Sequence, residues 1–131
     1  MPIQFKVIQK GQPGVKGGGE KKYYASPVYG KEKSLAGLIK DIEKISTVSG
    51  ADIRAVVYAL VDVMQSSLSD GEIVRLGELG SMRVNISSEG KAKEEEVTQN
   101  AIRGAKVIFT PGTDLKKMLN NLSYEKVKVG E

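Results

Sequence analysis

Between residues 75 and 117 lie eight basic side chains that have a chemistry to offer: Arg75, Arg83, Lys91, Lys93, Arg103, Lys106, Lys116 and Lys117. That chemistry is the neutralisation of phosphate, in which guanidinium forks and ammonium groups hydrogen-bond phosphate oxygens and displace condensed counterions. Each of the eight also has the plainer reading of a solvated surface charge. Arg75 and Arg83 rise above the rest, because strand alternation turns a charged side chain out of a sheet face.

Other chemistries have less to work with. The chain has no Cys and no His, which removes disulfides, thiolate nucleophiles, the usual zinc sites and the commonest general base. Glu94-Glu95-Glu96 is a run of like charges without the spaced Asp/Asn/Gly pattern of a cation loop, so it reads as a solvated segment and no metal is expected. Gly17-Gly18-Gly19-Glu20-Lys21 lacks the spacing, the hydroxyl residue and the following apolar helix of a phosphate loop, and reads as a linker. Tyr23 and Tyr24 have faces on which bases can stack, or they alternate inward and outward on a packed strand. No cofactor or small-molecule substrate is implied, and carboxylate or lysine catalysis has no supporting constellation.

The net charge of +4 is unevenly spread. Residues 1–33 carry seven lysines against Glu20 and Glu32, a net of +5, and the other 98 residues carry 13 basic and 14 acidic side chains, a net of −1. A basic extension of this kind is either a solubilising tail or an arm for an acidic partner. With 131 residues, one domain plus an appendage is expected, its core aliphatic because only seven residues are aromatic. The first residues show no signal-peptide pattern and no stretch approaches ~20 apolar residues; a soluble cytoplasmic protein with no membrane partner is expected.

The elements that position these groups follow from periodicity. Ile3 to Ile8 alternates like a short strand, Tyr23 to Tyr29 reads as a second extended segment, and a glycine loop separates them. The path of this extension is open: it adds to a sheet, covers an edge or contacts a partner. Leu35, Leu38, Ile39, Ile42 and Ile45 recur at helical spacing behind Ser34, a residue suited to cap a helix start. Ser49 offers a second cap, and Ile53, Val56, Val57, Leu60, Val61, Met64 and Leu68 give a broad apolar face that ends at Asp70-Gly71. That breadth points to burial against both a partner helix and another subunit. Strand patterns follow over Ile73 to Leu76 and Met82 to Ile86, broken by Glu78-Leu79-Gly80. Ser87 to Asn100 is polar and reads as a protruding arm, Lys106 to Thr110 as a strand, and Leu115, Met118, Leu119 and Leu122 as a final helix with Thr113 as its candidate cap.

This order resembles the HU/IHF family of bacterial histone-like proteins over residues 34–124. Gly71-Glu72-Ile73-Val74-Arg75-Leu76 looks like that family's approach to its first strand, and Leu79-Gly80-Ser81-Met82-Arg83-Val84 is similar to its glycine turn. Phe109-Thr110-Pro111-Gly112 with Leu115-Lys116-Lys117 resembles its last strand and closing helix. The Lys- and Tyr-rich extension is similar to a variant HU-like group from Bacteroides-type bacteria. The resemblance implies an α+β, IHF-like DNA-binding fold: a helical pair, a three-stranded antiparallel β-sheet with a β-arm, and a C-terminal helix, in an intertwined homodimer. Residues 1–33 are then an extension, 34–124 the domain and 125–131 a tail.

The function implied is non-enzymatic and architectural: sequence-tolerant binding of double-stranded DNA in the nucleoid, through phosphate and minor-groove contacts. The eight basic residues are the candidate contacts. The chain departs from the family in its arm, because the segment from Asn85 to Lys106 holds no proline to serve as an intercalating wedge and carries Glu94-Glu95-Glu96 instead. The alternative is a fold retained as a protein-interaction scaffold with weak or lost DNA binding.

Overall fold

The structure, a computed structural model, describes residues 2–12, 14 and 16–128. The chain divides into two compact units, one formed by residues 1–33 and 118–131 and the other by Ser34–Lys117.

The first unit is a three-stranded sheet of order β2-β1-β6, in which β1 is Ile3–Lys10, β2 is Lys22–Val28 and β6 is Tyr124–Lys126. β1 and β2 form an antiparallel hairpin with register pairs from Gln4↔Val28 to Lys10↔Lys22, and β6 adds in parallel to β1 with Ile3 level with Tyr124. The N–H of Ile3 donates to the Ser123 carbonyl at 2.8 Å and that of Val127 to the Phe5 carbonyl at 2.9 Å, pinning β6 at both ends. Pro27 is tolerated because β2 is an edge strand, where a missing N–H breaks no ladder. Instead of adding strands to the main sheet, the extension builds a sheet of its own with a short segment from the far end of the chain.

The second unit begins with α1 (Leu35–Ile45) and α2 (Gly50–Ser69). The hydroxyls of Ser34 and Ser49 accept from the N–H groups of Gly37 at 3.1 Å and Asp52 at 3.3 Å, satisfying donors that have no partner within the helix. The Gly50 N–H donates to a Glu43 carboxylate oxygen at 3.1 Å and ties the start of α2 to α1. α2 stops in a Schellman arrangement. Gly71, at φ +80°, donates to the Leu68 carbonyl at 3.1 Å, and Glu72 donates to the Ser67 carbonyl at 3.1 Å.

The antiparallel sheet β3-β4-β5 follows, from Val74–Arg75, Gly80–Ser88 and Ile102–Pro111, and α2 lies against β3 and β4. β5 begins four residues earlier than its apolar pattern predicts, because its start is set by pairing with β4 rather than by its own side chains. The last helix, α3, spans Thr113–Leu119 and leaves Leu122 outside. Its first helical bond runs from the Lys116 N–H to the Gly112 carbonyl at 3.0 Å, so Gly112 holds the capping position and Thr113 is already helical.

Two glycines hold this unit's turn together. The Gly112 N–H donates to the Leu79 carbonyl at 3.1 Å, and Gly80 is the register partner of Pro111. A Cβ on Gly80 would collide with the Thr110 carbonyl, and one on Gly112 with the Glu78 carbonyl. Motifs about thirty residues apart in sequence are therefore one packed corner.

The core of the single chain is small. Among the described residues only Ile39, Ile53 and Ala101 are buried apolar side chains. Leu38, Ile42 and Ile45 on α1 stay largely exposed, as do Val56, Leu60 and Val63 on α2, with Ile45 at 86% and Val63 at 65%. Both trios recur at the spacing of a helix stripe.

Candidate nucleic-acid interface

Directly paired strand residues share a face, so the register of β3-β4-β5 sorts its side chains into two sets. Arg75 is level with Ser81, Asn85 with Lys106, and Ser81 with Thr110. Arg75, Arg83 and Lys106 therefore project from one face, among Ser81, Asn85 and Ser87, and all three cations are exposed. The opposite face carries Val74, Met82, Val84, Ile86, Val107 and Phe109. The sheet thus presents cations and small polar groups on one side, interrupted by Ile108 level with Arg83, and apolar side chains on the other.

Lys116, on the first turns of α3, joins Arg75, Ser81 and Thr110 around a shallow depression of about 300 Å³. A second depression of similar size, lined by Asn85, Ser87, Gly104 and Lys106, lies farther along β4 and β5 toward the arm. Lys117, the next residue of α3, does not line the first of them.

The arm itself, residues 89–101, is folded rather than loose. The Glu89 N–H donates to the Ala101 carbonyl at 2.8 Å and closes its base, and Ala101 is 1% exposed. Two 3-10 turns, Glu94–Glu96 and Gln99–Ala101, supply its internal bonds, and the Thr98 hydroxyl accepts from the Asn100 N–H at 3.3 Å. The polar composition of the segment gave no sign of this, since turns and caps need few apolar contacts.

The arm's cations are more committed than those of the sheet. Lys91 pairs with Glu89 at 3.2 Å, a contact between partly exposed groups. Arg103 lies at a register shift between Ser87 and Ser88, flanked by paired residues, and its guanidinium donates to the Ser88 carbonyl at 3.1 Å. Lys93 directly precedes Glu94-Glu95-Glu96, whose carboxylates do not converge: among the described residues no three acidic side chains are grouped as a metal ion requires. Of the eight residues singled out by type, the structure brings Arg75, Arg83 and Lys106 to one face of the sheet and sets Lys116, from α3, beside Arg75. It leaves Lys91, Lys93 and Arg103 in or at the root of the arm.

Periodicity did not expose a second cationic surface, on β1 and β2, where Lys10 and Lys22 are direct register partners. The signal was present only as lysine richness, since nothing local specifies which lysines meet. No helix among the described residues is long and apolar enough to cross a membrane.

Comparison with known proteins places this geometry. A solved structure of a protein from Bacteroides vulgatus, provisionally designated a bacterial DNA binding protein, superposes with a TM-score of 0.57 at 15% identity, which speaks for the fold. The match covers 97% of this chain and 49% of that one, so the chain spans about half the length of that protein. No curated protein matches. Residues 1–126 match the family model HU-HIG, described as an HU domain fused to a wHTH, Ig or glycine-rich motif. With its helical pair, its β3-β4-β5 sheet and its added strands covered by that one match, the chain belongs to the HU-HIG family.

Proposed function

We propose that this protein is an architectural, sequence-tolerant DNA-binding protein of the cytoplasmic nucleoid, acting as a homodimer and not as an enzyme. The observation that carries the reading is the sorting of the β3-β4-β5 sheet, with Arg75, Arg83 and Lys106 exposed on one largely polar face. Such a face offers charge-assisted hydrogen bonds to phosphates, and contacts held to phosphate carry no sequence information, which is the basis of sequence tolerance. The HU domain of the family supports DNA as the polyanion.

The homodimer is supported by what one chain leaves open. The stripes Leu38-Ile42-Ile45 and Val56-Leu60-Val63 are exposed while only Ile39 and Ile53 of the helical pair are buried. Exposed apolar stripes of this extent are uncommon on monomers, and a second copy brings the same stripes for a self-complementary interface. Minor-groove engagement falls to the arm, residues 89–101, which carries no proline wedge.

One observation favours a second reading, a protein-interaction scaffold with weak DNA affinity. Glu94, Glu95 and Glu96 are all exposed on the arm, where a polyanion would meet them unfavourably. Binding to duplexes of unrelated sequence over a salt series separates the two. The architectural reading expects comparable affinities for all duplexes and a log K that falls linearly with log salt. Arg75→Ala with Arg83→Ala is expected to reduce that slope by about 1.8 per engaged subunit if each contacts one phosphate. A folded protein that binds no duplex at low salt would establish the scaffold instead.

A further inference from the structure

The sheet of the first unit gathers its lysines on one side. Its register puts Lys6, Lys10 and Lys22 on the face that also carries Ile8, Tyr24 and Val28, with Ile8 between the two lysines of β1, and puts Ile3, Phe5, Val7, Tyr23 and Pro27 on the other. Lys10 and Lys22 stand directly opposite each other on adjacent strands, an arrangement of like charges that destabilises a hairpin. Among the described residues, no carboxylate oxygen lies within the 4.0 Å of an ion pair from Lys6, Lys10 or Lys22. The acid of β6 on this face, Glu125, is level with Gln4, at the end of β1 away from the lysine pair. Positive charge is therefore concentrated at the Lys10–Lys22 end of this face, and among the described residues no ion pair neutralises it.

The chemistry of the face narrows what that counter-charge is. The Lys10 ammonium sits 5.0 Å from the centroid of the Tyr24 ring, a cation–π contact that holds the ammonium over the sheet. A ring face occupied by a cation is closed to a stacking base, which disfavours an unpaired strand and leaves ammonium-to-phosphate contacts as what the surface offers. The unit made of residues 1–33 and 118–131 has nine lysines against four glutamates, a net of +5, whereas Ser34–Lys117 has a net of −1. The larger electrostatic attraction for a polyanion thus belongs to the unit that lacks Arg75 and Arg83.

We propose that the Lys6, Lys10 and Lys22 face of β1 and β2 is a second contact surface for duplex DNA, held on the phosphate backbone. It rests on the DNA-binding reading above and assigns to the added sheet a share of the grip.

The test uses the full chain and unrelated duplexes over a salt series. Lys6→Gln, Lys10→Gln and Lys22→Gln combined are expected to lower the log K against log salt slope by about 2.7 per engaged subunit. Between 50 and 200 mM salt, the wild type should then lose affinity by about 40-fold more than the triple variant does. A matched triple that removes the same charge outside the strands, Lys16→Gln, Lys21→Gln and Lys31→Gln, is expected to keep most of the slope. Equal losses in the two triples would overturn the assignment by showing a diffuse charge effect. An unchanged slope in the strand triple, with wild-type binding intact, would overturn it and leave the architectural reading standing. A wild type that binds no duplex would remove both. The single variant Lys22→Glu provides an independent reading: it converts a repelling cross-strand pair into an attracting one, so its urea midpoint should rise while its DNA affinity falls. A raised midpoint with unaltered affinity would refute the proposal without any question of misfolding.

Discussion

Replacing Gly112 with alanine is the sharpest perturbation that this fold offers. The added Cβ would overlap the Glu78 carbonyl carbon and oxygen and lie 3.2 Å from the Gly80 backbone nitrogen. All of these are backbone atoms, so no side chain can swing aside. Relief requires the corner between Glu78 and Gly80 to open, at the ~1–3 kcal/mol typical of overpacking. Opening it also lengthens the bond from the Gly112 N–H to the Leu79 carbonyl, worth about 1 kcal/mol. Alanine restricts the unfolded chain and returns roughly 0.4–1 kcal/mol. The balance is a destabilisation of about 1–3.5 kcal/mol, which for a domain of this size is a fall in Tm on the order of 5–20 °C. Urea and thermal unfolding followed by circular dichroism, at matched protein concentration, measure it. Gly90→Ala is the control, because nothing lies within 4 Å of a Cβ there and the position has no positive φ. A Gly112→Ala midpoint equal to that of Gly90→Ala would refute the packed corner.

The remaining predictions bear on caps and assembly. Gly71→Ala forces a side chain into the φ +80° conformation that ends α2, and should cost about 1–2 kcal/mol in urea denaturation. Ser49→Ala removes the acceptor for the Asp52 N–H and should cost about 1 kcal/mol by the same measurement, with Ser49→Asp restoring it. Leu60→Asp alters an exposed stripe and should convert a dimer into a monomer by sedimentation. The stability of the wild type should fall by about 2.7 kcal/mol on hundredfold dilution while that of the variant does not; wild-type stability independent of concentration would contradict the homodimer.

Local order was legible because its causes are local. The spacing of Leu35, Leu38, Ile39, Ile42 and Ile45 behind Ser34, and the stop at Asp70-Gly71, depend on residues within a few positions of one another, and α1 and α2 begin and end where those signals lie. The same holds for the outward alternation of Arg75 and Arg83. The arm's polar run correctly marked a break between strands, yet its folded base escaped notice because the Glu89 to Ala101 bond joins residues twelve apart. The start of β5 and the end of α3 were misplaced for a related reason: pairing and packing, rather than intrinsic pattern, set those limits.

What the sequence determined by itself was the inventory: aliphatic helices with caps, alternating strands, a lysine-rich extension, and no His or Cys with which to build most catalytic or metal sites. Tertiary structure decided which of these meet. Register put Lys106 beside Arg83, joined Gly80 to Pro111, and set Lys10 against Lys22. A strand carries the period of its side chains in its own residues, but the partner and the offset of its pairing are properties of two segments at once. A one-residue slip in either would move every cation to the opposite face.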